Sequence, residues 1–224
     1  MKKNGLKERL ITSFILILIV LLIFFSNKYL WTMLASFVSL ISYIEFDNLF
    51  SKIKKIKNNF RIYFQLLVFL YFTFLIYISF NIYDQYLLYV ILICILSDTG
   101  GYFVGKTFGG IKLTKISPKK TISGAIGSVI FSIFPIIYLI LTENKEFFVF
   151  QYLNENNLFY LFIFSCILSI TCQIGDLIIS FLKRKANLKD TGNILPGHGG
   201  LLDRIDGIIF VIPISYIMQN FFQI

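Results

Sequence analysis

The segment from Gly175 to Asp206 combines the residue types that phosphate chemistry requires. It contains four aspartates, five Lys or Arg residues and five glycines, and it lies between two apolar runs. Magnesium prefers oxygen ligands and is typically held by one or two carboxylates together with substrate phosphates. Lys, Arg and main-chain N–H groups can neutralise the remaining phosphate charge. The mixture therefore predicts metal-dependent phosphoryl or nucleotidyl transfer.

Two aspartates lie inside apolar runs, Asp98 and Asp176. An ionised carboxylate in the hydrocarbon region of a membrane costs at least a few kcal/mol, so such acids are usually paired, metal-bound or functional. The alternative is that the acids only close a helix bundle by pairing with nearby bases. Those bases would be Lys183, Arg184, Lys189 and Arg204.

Helical spacing groups several of these side chains. Asp176, Ser180 and Lys183 are spaced i, i+4, i+7, so they share one helix face and predict a polar track. Asp203 and Asp206 are spaced i, i+3 and would point the same way if a helix begins near Leu202.

Other catalytic patterns are weaker. Residues 100–107 match the Walker pattern G-x-x-x-x-G-K-[ST], but that loop needs a preceding strand, and here the match ends an apolar run. The sequence has no G-x-S-x-G motif. Its one histidine, His198, lies between two glycines, so it suits a turn at least as well as a direct role in the reaction. No pattern in the sequence therefore indicates a catalytic Ser or Cys nucleophile.

The elements that must position these residues are membrane helices. Hydrophobic residues make up 57% of the 224-residue chain, with 26 Phe and 13 Tyr, and the mean hydropathy is +0.77. Several runs reach the roughly 18 apolar residues that mark a spanning helix. The sequence predicts an all-α, polytopic membrane protein with about seven spans, as one integral-membrane domain, residues 1–224. The predicted spans are 10–26, 29–50, 62–80, 86–104, 122–141, 158–182 and 207–222.

The distribution of positive charge predicts the orientation of these spans. The net charge of +9 comes from bases in short blocks between apolar runs, as membrane topology requires, and does not indicate a nucleic-acid binder. With the N-terminus in the cytoplasm, four consecutive blocks hold four, five, five and five bases, nineteen of the 21. Only Lys28 and Lys145 then lie outside. Both glycine-rich loops fall on the cytoplasmic face, where we expect the active site. Three cysteines, Cys94, Cys166 and Cys172, lie in apolar runs and are predicted core residues.

A long motif in this segment carries a family resemblance. It reads Ser180-x-Leu182-Lys183-Arg184, then Lys189-Asp190-x-Gly192-x-x-Leu195-Pro196-x-His198-Gly199-Gly200-Leu201-x-Asp203-Arg204-Ile205-Asp206. This resembles the complete C-terminal motif of the phosphatidate cytidylyltransferases, also called CDP-diacylglycerol synthases. Residues 97–106, followed by Ser117-Pro118-Lys119-Lys120-Thr121, resemble the central motif, with Gly101 where alanine is usual. Leu6-Lys7-x-Arg9 and Tyr43-Ile44-Glu45-Phe46 also look like family elements. Family members are usually longer between the early Glu and the central Asp.

The resemblance implies transfer of cytidylyl from CTP to phosphatidate, with magnesium, in the inner membrane of a cell. It implies N-terminal spans over 10–80 and a catalytic part over 86–224. The metal ligands would be Asp176 and Asp203, supported by Asp206 and Asp190, with Asp98 as a ligand or as a group that orients a lysine. The catalytic set would be Asp176, Lys183, Asp203, Arg204 and Asp206. The substrate-binding set would be Lys119, Lys120, Ser180, Arg184, Lys189, His198, Gly199 and Gly200. A second cation and a homodimer stay open.

Three alternatives remain at this point. A CTP-dependent polyprenol or dolichol kinase would use similar groups. A cation transporter would also place acids within helices, although clustered Lys and Arg are a liability along a cation pathway. A non-catalytic scaffold would show neither turnover nor metal dependence.

Overall fold

The computed structural model describes residues 18, 20–53, 58–82, 85–142, 157–195 and 199–222. Across these residues the regular structure is helical, and the only β-type pairings are two isolated bridges, Lys112 with Thr121 and Leu195 with Gly199. Residues 20–26 are helical. The helices that follow are α1 (Lys28–Ser51), α2 (Asn58–Asn81), α3 (Gln85–Phe108), α4 (Ile122–Phe131), α5 (Phe134–Thr142), α6 (Asn157–Lys185), α7 (Leu202–Ile205) and α8 (Ile208–Phe222).

The prediction of an all-α, multi-pass membrane protein is confirmed. Helices α1, α2, α3 and α6 are each long and apolar enough to cross a bilayer. Two shorter apolar stretches, 122–138 and 208–219, accompany them. The predicted first span lies mostly outside the described residues, so the prediction of seven spans stays a prediction.

The described chain divides into two compact units. The first comprises Met1–Asn81 with Leu182–Ile205, and the second comprises Ile82–Phe181 with Asp206–Ile224. In the first unit α1 packs on α2. The buried indole N–H of Trp31 donates to Ser79 Oγ at 2.8 Å, and the rings of Phe50 and Phe64 stack with centroids 4.2 Å apart.

Glycines let α3 and α4 approach closely in the second unit. A Cβ at Gly127 would lie 2.5 Å from Val104 Cβ, and one at Gly124 would lie 2.8 Å from the carbonyl oxygen of Gly101. The small residues at the start of α4 thus allow the two helices to pack closely. This close packing also explains the Walker-like match: residues 100–107 are helical, and glycines at 100, 101 and 105 pack against α4. They form no phosphate-binding loop.

The predicted fifth span is two helices. The chain turns at Ser132 and Ile133 between α4 and α5. Pro135 has no N–H to donate to the carbonyl of Phe131, and its ring would crowd that carbonyl in a continuous helix. The break therefore falls one turn before the proline.

A helix begins at Leu202, as the placement of Asp203 and Asp206 on one helix face required, but Asp206 lies beyond its end. Helix α7 ends at Ile205, and the carbonyl of Gly207 accepts from Phe210 and Val211, so a new helix begins there. A Cβ at Gly207 would lie 2.4 Å from Cys172 Sγ, which shows how tightly this turn packs on α6. The two aspartates belong to different units. Cys94 and Cys172 are buried and Cys166 is half-buried, as core residues should be.

Candidate active site

A cavity of about 520 Å³ in the second unit gathers acids and lysines from two helices and a loop. Asp98 and Lys106 come from α3, and Asp176 comes from α6. Lys119 and Lys120 come from the loop between α3 and α4. The cavity thus combines two carboxylates with three ammonium groups.

The loop over residues 109–121 is ordered by its own backbone. Gly109 and Gly110 take positive φ values of 59° and 104°, which turns the chain out of α3. Leu113 N–H donates to the carbonyl of Lys120 at 2.8 Å. Thr121 then caps α4, because its Oγ1 accepts from Gly124 N–H at 3.1 Å. The lysines at 119 and 120 are consequently fixed next to the start of α4.

Asp176 is held by two neighbours within the cavity. Lys120 Nζ lies 2.5 Å from Asp176 Oδ2, and the two side chains are 27% and 28% exposed. Ser180 Oγ donates to Asp176 Oδ1 at 3.2 Å, which confirms that the i, i+4 pair shares a face of α6. The thiol of Cys172 lies 3.8 Å from Asp98 Oδ1. Asp176 therefore keeps access to the cavity while its charge is balanced.

A second polar cluster lies in the first unit, around Asp203. Lys183 Nζ donates to Oδ1 at 2.6 Å, and the two side chains are 12% and 6% exposed. Oδ2 accepts from Thr191 N–H at 2.7 Å and Gly200 N–H at 3.1 Å, and it lies 3.1 Å from the Thr191 hydroxyl, which is nearer to Glu45. Burial raises the pKa of Asp203, but the bonds from Lys183 and the backbone outweigh it, and the pKa lies below its ordinary value. Asp203 is ionised at neutral pH and closes the loop that precedes α7.

Glu45 on α1 belongs to the same cluster, and the sequence did not single it out as a site residue. It is 3% exposed and accepts hydrogen bonds from Thr191, Leu201 and Leu202. The signal that could have found it is an acid within an apolar span, the argument applied above to Asp98 and Asp176.

The other predicted residues lie outside these two sets of contacts or at their edge. Arg184 donates to the carbonyl of Leu188 at 3.3 Å, and Gly207 N–H donates to Asp206 Oδ1 at 3.0 Å. Lys189, Asp190 and Arg204 are exposed, and Gly199 adopts a positive φ of 87°. His198 lies outside the described residues.

Lys106 and Gln173 are cavity residues that were not predicted from the sequence. Lys106 lines the cavity and donates to Tyr102 Oη at 3.3 Å. Gln173 lies on α6 less than one turn before Asp176 and also lines the cavity. The helix period would have placed Gln173 on the same face as Asp176, three positions apart.

Known protein sequences match a large part of this chain. The sequence model of the cytidylyltransferase family matches residues 59–222. The chain is 46% identical over 119 residues to the phosphatidate cytidylyltransferase of Rickettsia bellii, covering 53% of this chain and 50% of the relative. It is 41% identical over 147 residues to that of Bacillus subtilis, covering 62% and 51%. It is 43% identical over 136 residues to that of Staphylococcus haemolyticus, covering 60% of this chain and 48% of the relative. The chain thus aligns with about half the length of these curated relatives.

Proposed function

Because the chain belongs to the cytidylyltransferase family, we propose that it transfers the cytidylyl group from CTP to phosphatidate. The products are CDP-diacylglycerol and pyrophosphate. The observation that carries this proposal is the cavity in which membrane-spanning helices bring two carboxylates and three lysines together. Both substrates are polyanions, so they need cationic groups to approach each other.

The reaction needs no side-chain nucleophile. A phosphatidate oxygen attacks the α-phosphorus of CTP, and the bond from that phosphorus to the oxygen bridging to the β-phosphate breaks. The pyrophosphate leaves with the electron pair of that bond. A phosphate monoester has a second pKa of about 6 and is largely ionised near neutral pH, so it can attack directly. This is consistent with a site built from acids and bases.

The carboxylates of the cavity fit magnesium. Asp98 and Asp176 both line it, and a magnesium ion is typically bound by one or two carboxylates plus substrate phosphates. Bound magnesium would neutralise phosphate charge as it develops. We propose Asp176 as the principal ligand, assisted by Asp98. Among the described residues no group of three or more acids, His or Cys has metal-binding geometry, so substrate oxygens would complete the shell.

The ligand roles predicted for Asp203, Asp206 and Asp190 are further proposals. Ionised carboxylates offer about four lone-pair sites. Among the described residues Asp203 already accepts from two backbone N–H groups at Oδ2 and from Lys183 at Oδ1, which leaves one of these sites, on Oδ1. Any metal contact by Asp203 would therefore be made through Oδ1, beside Lys183. A second cation is part of this proposal.

The lysines of the cavity would take the phosphate charge of the substrates. Lys120 is paired with Asp176, and both side chains keep about a quarter of their surface exposed, so they can be reached from the cavity. An arriving phosphate would take the place of Asp176 beside Lys120, while Lys119 and Lys106 add charge. The predicted phosphate-binding roles at the other motif positions are proposals of the same kind. They concern Ser180, Lys183, Arg184, Lys189, His198, Gly199, Gly200 and Arg204.

A double-label assay tests the proposal. Purified protein receives phosphatidate, magnesium and CTP labelled at either the α- or the γ-phosphate. We expect α-label in lipid and γ-label in pyrophosphate. If γ-label entered the lipid, the chain would be a lipid kinase, and ion flux in liposomes without CTP would indicate a transporter. The inner-membrane location, the cytoplasmic N-terminus and the homodimer belong to the same proposal.

A further inference from the structure

The carboxylate of Glu45 connects α1 to residues 191–195 and 199–202, which we together call the motif loop. Its Oε2 accepts from Thr191 Oγ1 at 2.9 Å and from Leu202 N–H at 2.8 Å. Its Oε1 accepts from Leu201 N–H at 3.0 Å. One buried side chain on α1 thus fixes both ends of a loop that lies about 150 positions later in the chain.

The backbone of the motif loop packs directly against this carboxylate. A Cβ at Gly192 would lie 2.4 Å from Glu45 Oε1, and one at Gly200 would lie 2.6 Å from Oε2. Only glycine leaves room for the carboxylate at these positions. Burying a carboxylate is costly unless it is fully hydrogen-bonded, and here three donors compensate for that cost. The arrangement therefore depends on Glu45 and the loop together.

Thr191 links Glu45 to the Lys183–Asp203 pair. Its hydroxyl lies 2.9 Å from Glu45 Oε2 and 3.1 Å from Asp203 Oδ2, and its N–H donates to Asp203 at 2.7 Å. Lys183 completes the chain of contacts at 2.6 Å from Asp203. A displacement of the motif loop would therefore move the partners that hold Asp203.

We propose that Glu45 is a positioning residue for the reaction. It holds the motif loop in the conformation that keeps Asp203 and Lys183 oriented, without itself touching a substrate. This inference rests on the proposed function, because it assumes that the motif loop and its cluster serve nucleotidyl transfer. The bonds it invokes lie entirely within the first unit of the chain.

Replacement by glutamine is a demanding test of this role. An amide has one acceptor oxygen and one NH₂ group, whereas the carboxylate accepts at both oxygens. In one orientation the NH₂ group faces Leu202 N–H, and in the other it faces Leu201 N–H. Glu45→Gln consequently loses at least one backbone hydrogen bond at unchanged side-chain size.

The experiment compares Glu45→Gln, Glu45→Asp and the matched control Asp47→Asn in detergent. Asp47 lies on the same helix and accepts from Gln65 of α2. The kinetic readout is kcat and KM for CTP per folded molecule, at saturating magnesium. The second readout is the rate of tryptic cleavage after Lys189, which is exposed beside the loop. It needs no enzyme activity.

For Glu45→Gln we expect at least a tenfold loss of kcat/KM and at least threefold faster cleavage after Lys189. Glu45→Asp keeps the charge and should retain more activity than Glu45→Gln, and Asp47→Asn should stay within twofold of wild type in both readouts. If Glu45→Gln does not accumulate in the membrane, Thr191→Val replaces it, because it removes the hydroxyl between Glu45 and Asp203 and keeps the N–H bond to Asp203.

Two results would separate the failure of this inference from the failure of the proposed function. If Glu45→Gln lowered only yield or melting temperature, with kcat/KM per folded molecule and cleavage unchanged, Glu45 would be structural and the inference would be wrong. If wild type formed no CDP-diacylglycerol, the proposed function would fail. The cleavage rates would still decide whether Glu45 holds the loop.

Discussion

At the residue scale, Asp176 is the acid whose loss should cost the most activity. It lines the cavity, its charge is balanced by Lys120, and it is 28% exposed, so it is accessible to a metal or a phosphate. We expect Asp176→Asn to reduce kcat/KM by more than tenfold, or about 1.4 kcal/mol of transition-state stabilisation. The measurement is CDP-diacylglycerol formation by purified protein.

The control for Asp176→Asn is its membrane insertion and its yield on purification. Asparagine has nearly the same volume, so the variant should insert and purify like wild type. A variant that kept more than a tenth of wild-type activity would rule out the ligand role of Asp176.

Magnesium titration should distinguish the two predicted principal ligands. Asp203 has most of its acceptor positions filled by protein donors, whereas Asp176 has a cavity beside it. We therefore expect Asp176→Asn to move the magnesium requirement to higher concentration by more than Asp203→Asn does. Asp203→Asn should instead lower folded yield, because Thr191, Gly200 and Lys183 would face an amide.

The titration is run at several CTP concentrations for each variant. A larger shift for Asp203→Asn than for Asp176→Asn would make Asp203 the principal ligand. If both variants gave the same magnesium curve as wild type, these acids would only pair with nearby bases and hold the helix bundle together. This is the structural alternative that the sequence leaves open for the acids.

At the element scale, the contact between α3 and α4 shapes the cavity, because both helices and the loop between them line it. Gly127→Ala tests this contact. Helix propensity alone predicts a gain of up to about 1 kcal/mol from replacing a helical glycine by alanine. The added Cβ would lie 2.5 Å from Val104 Cβ and 2.9 Å from the carbonyl oxygen of Gly100, so the helices must separate. We expect a lower melting temperature in detergent, together with loss of activity.

Ile126→Ala is the matched control on the same helix. Ile126 is 57% exposed, so its truncation should change the melting temperature less than Gly127→Ala does. A higher melting temperature for Gly127→Ala would show that propensity outweighs packing and that α3 and α4 can adjust.

The helix ends illustrate what local sequence could and could not provide at this scale. The six predicted spans after the first agree with the described helices to within a few residues, because long apolar runs leave few alternatives in a bilayer. The break before Pro135 was missed, although it follows from a local rule about proline. The last helix begins within one residue of the predicted Gly207, and only the close contact of Gly207 with Cys172 depends on packing that no local pattern records.

At the scale of the whole molecule, the distribution of bases predicts the orientation in the membrane. We expect cysteines introduced at positions 55 and 115 to react with an impermeant thiol reagent from the cytoplasmic side, and one at position 145 from the opposite side. The native Cys94 and Cys172 are buried and should give a low background. Labelling of positions 55 and 145 from the same side would contradict the predicted topology.

The sequence by itself determined the class of protein, the family and the residue types of the site. Hydropathy follows from composition, and membrane helices satisfy their own backbone hydrogen bonds, so their existence needs no knowledge of tertiary contacts. The motif residues identified the chemistry of carboxylates, bases and glycines before any geometry was known.

Tertiary structure alone decided which of these groups meet. It paired Lys120 with Asp176 and Lys183 with Asp203, although spacing on α6 had grouped Lys183 with Asp176. It also placed Glu45 against Thr191, 146 positions away. Hydrogen bonds and ion pairs are formed over a few ångströms in space, and sequence periodicity fixes distances only within one helix. Partners on different helices become known only when the helices are packed.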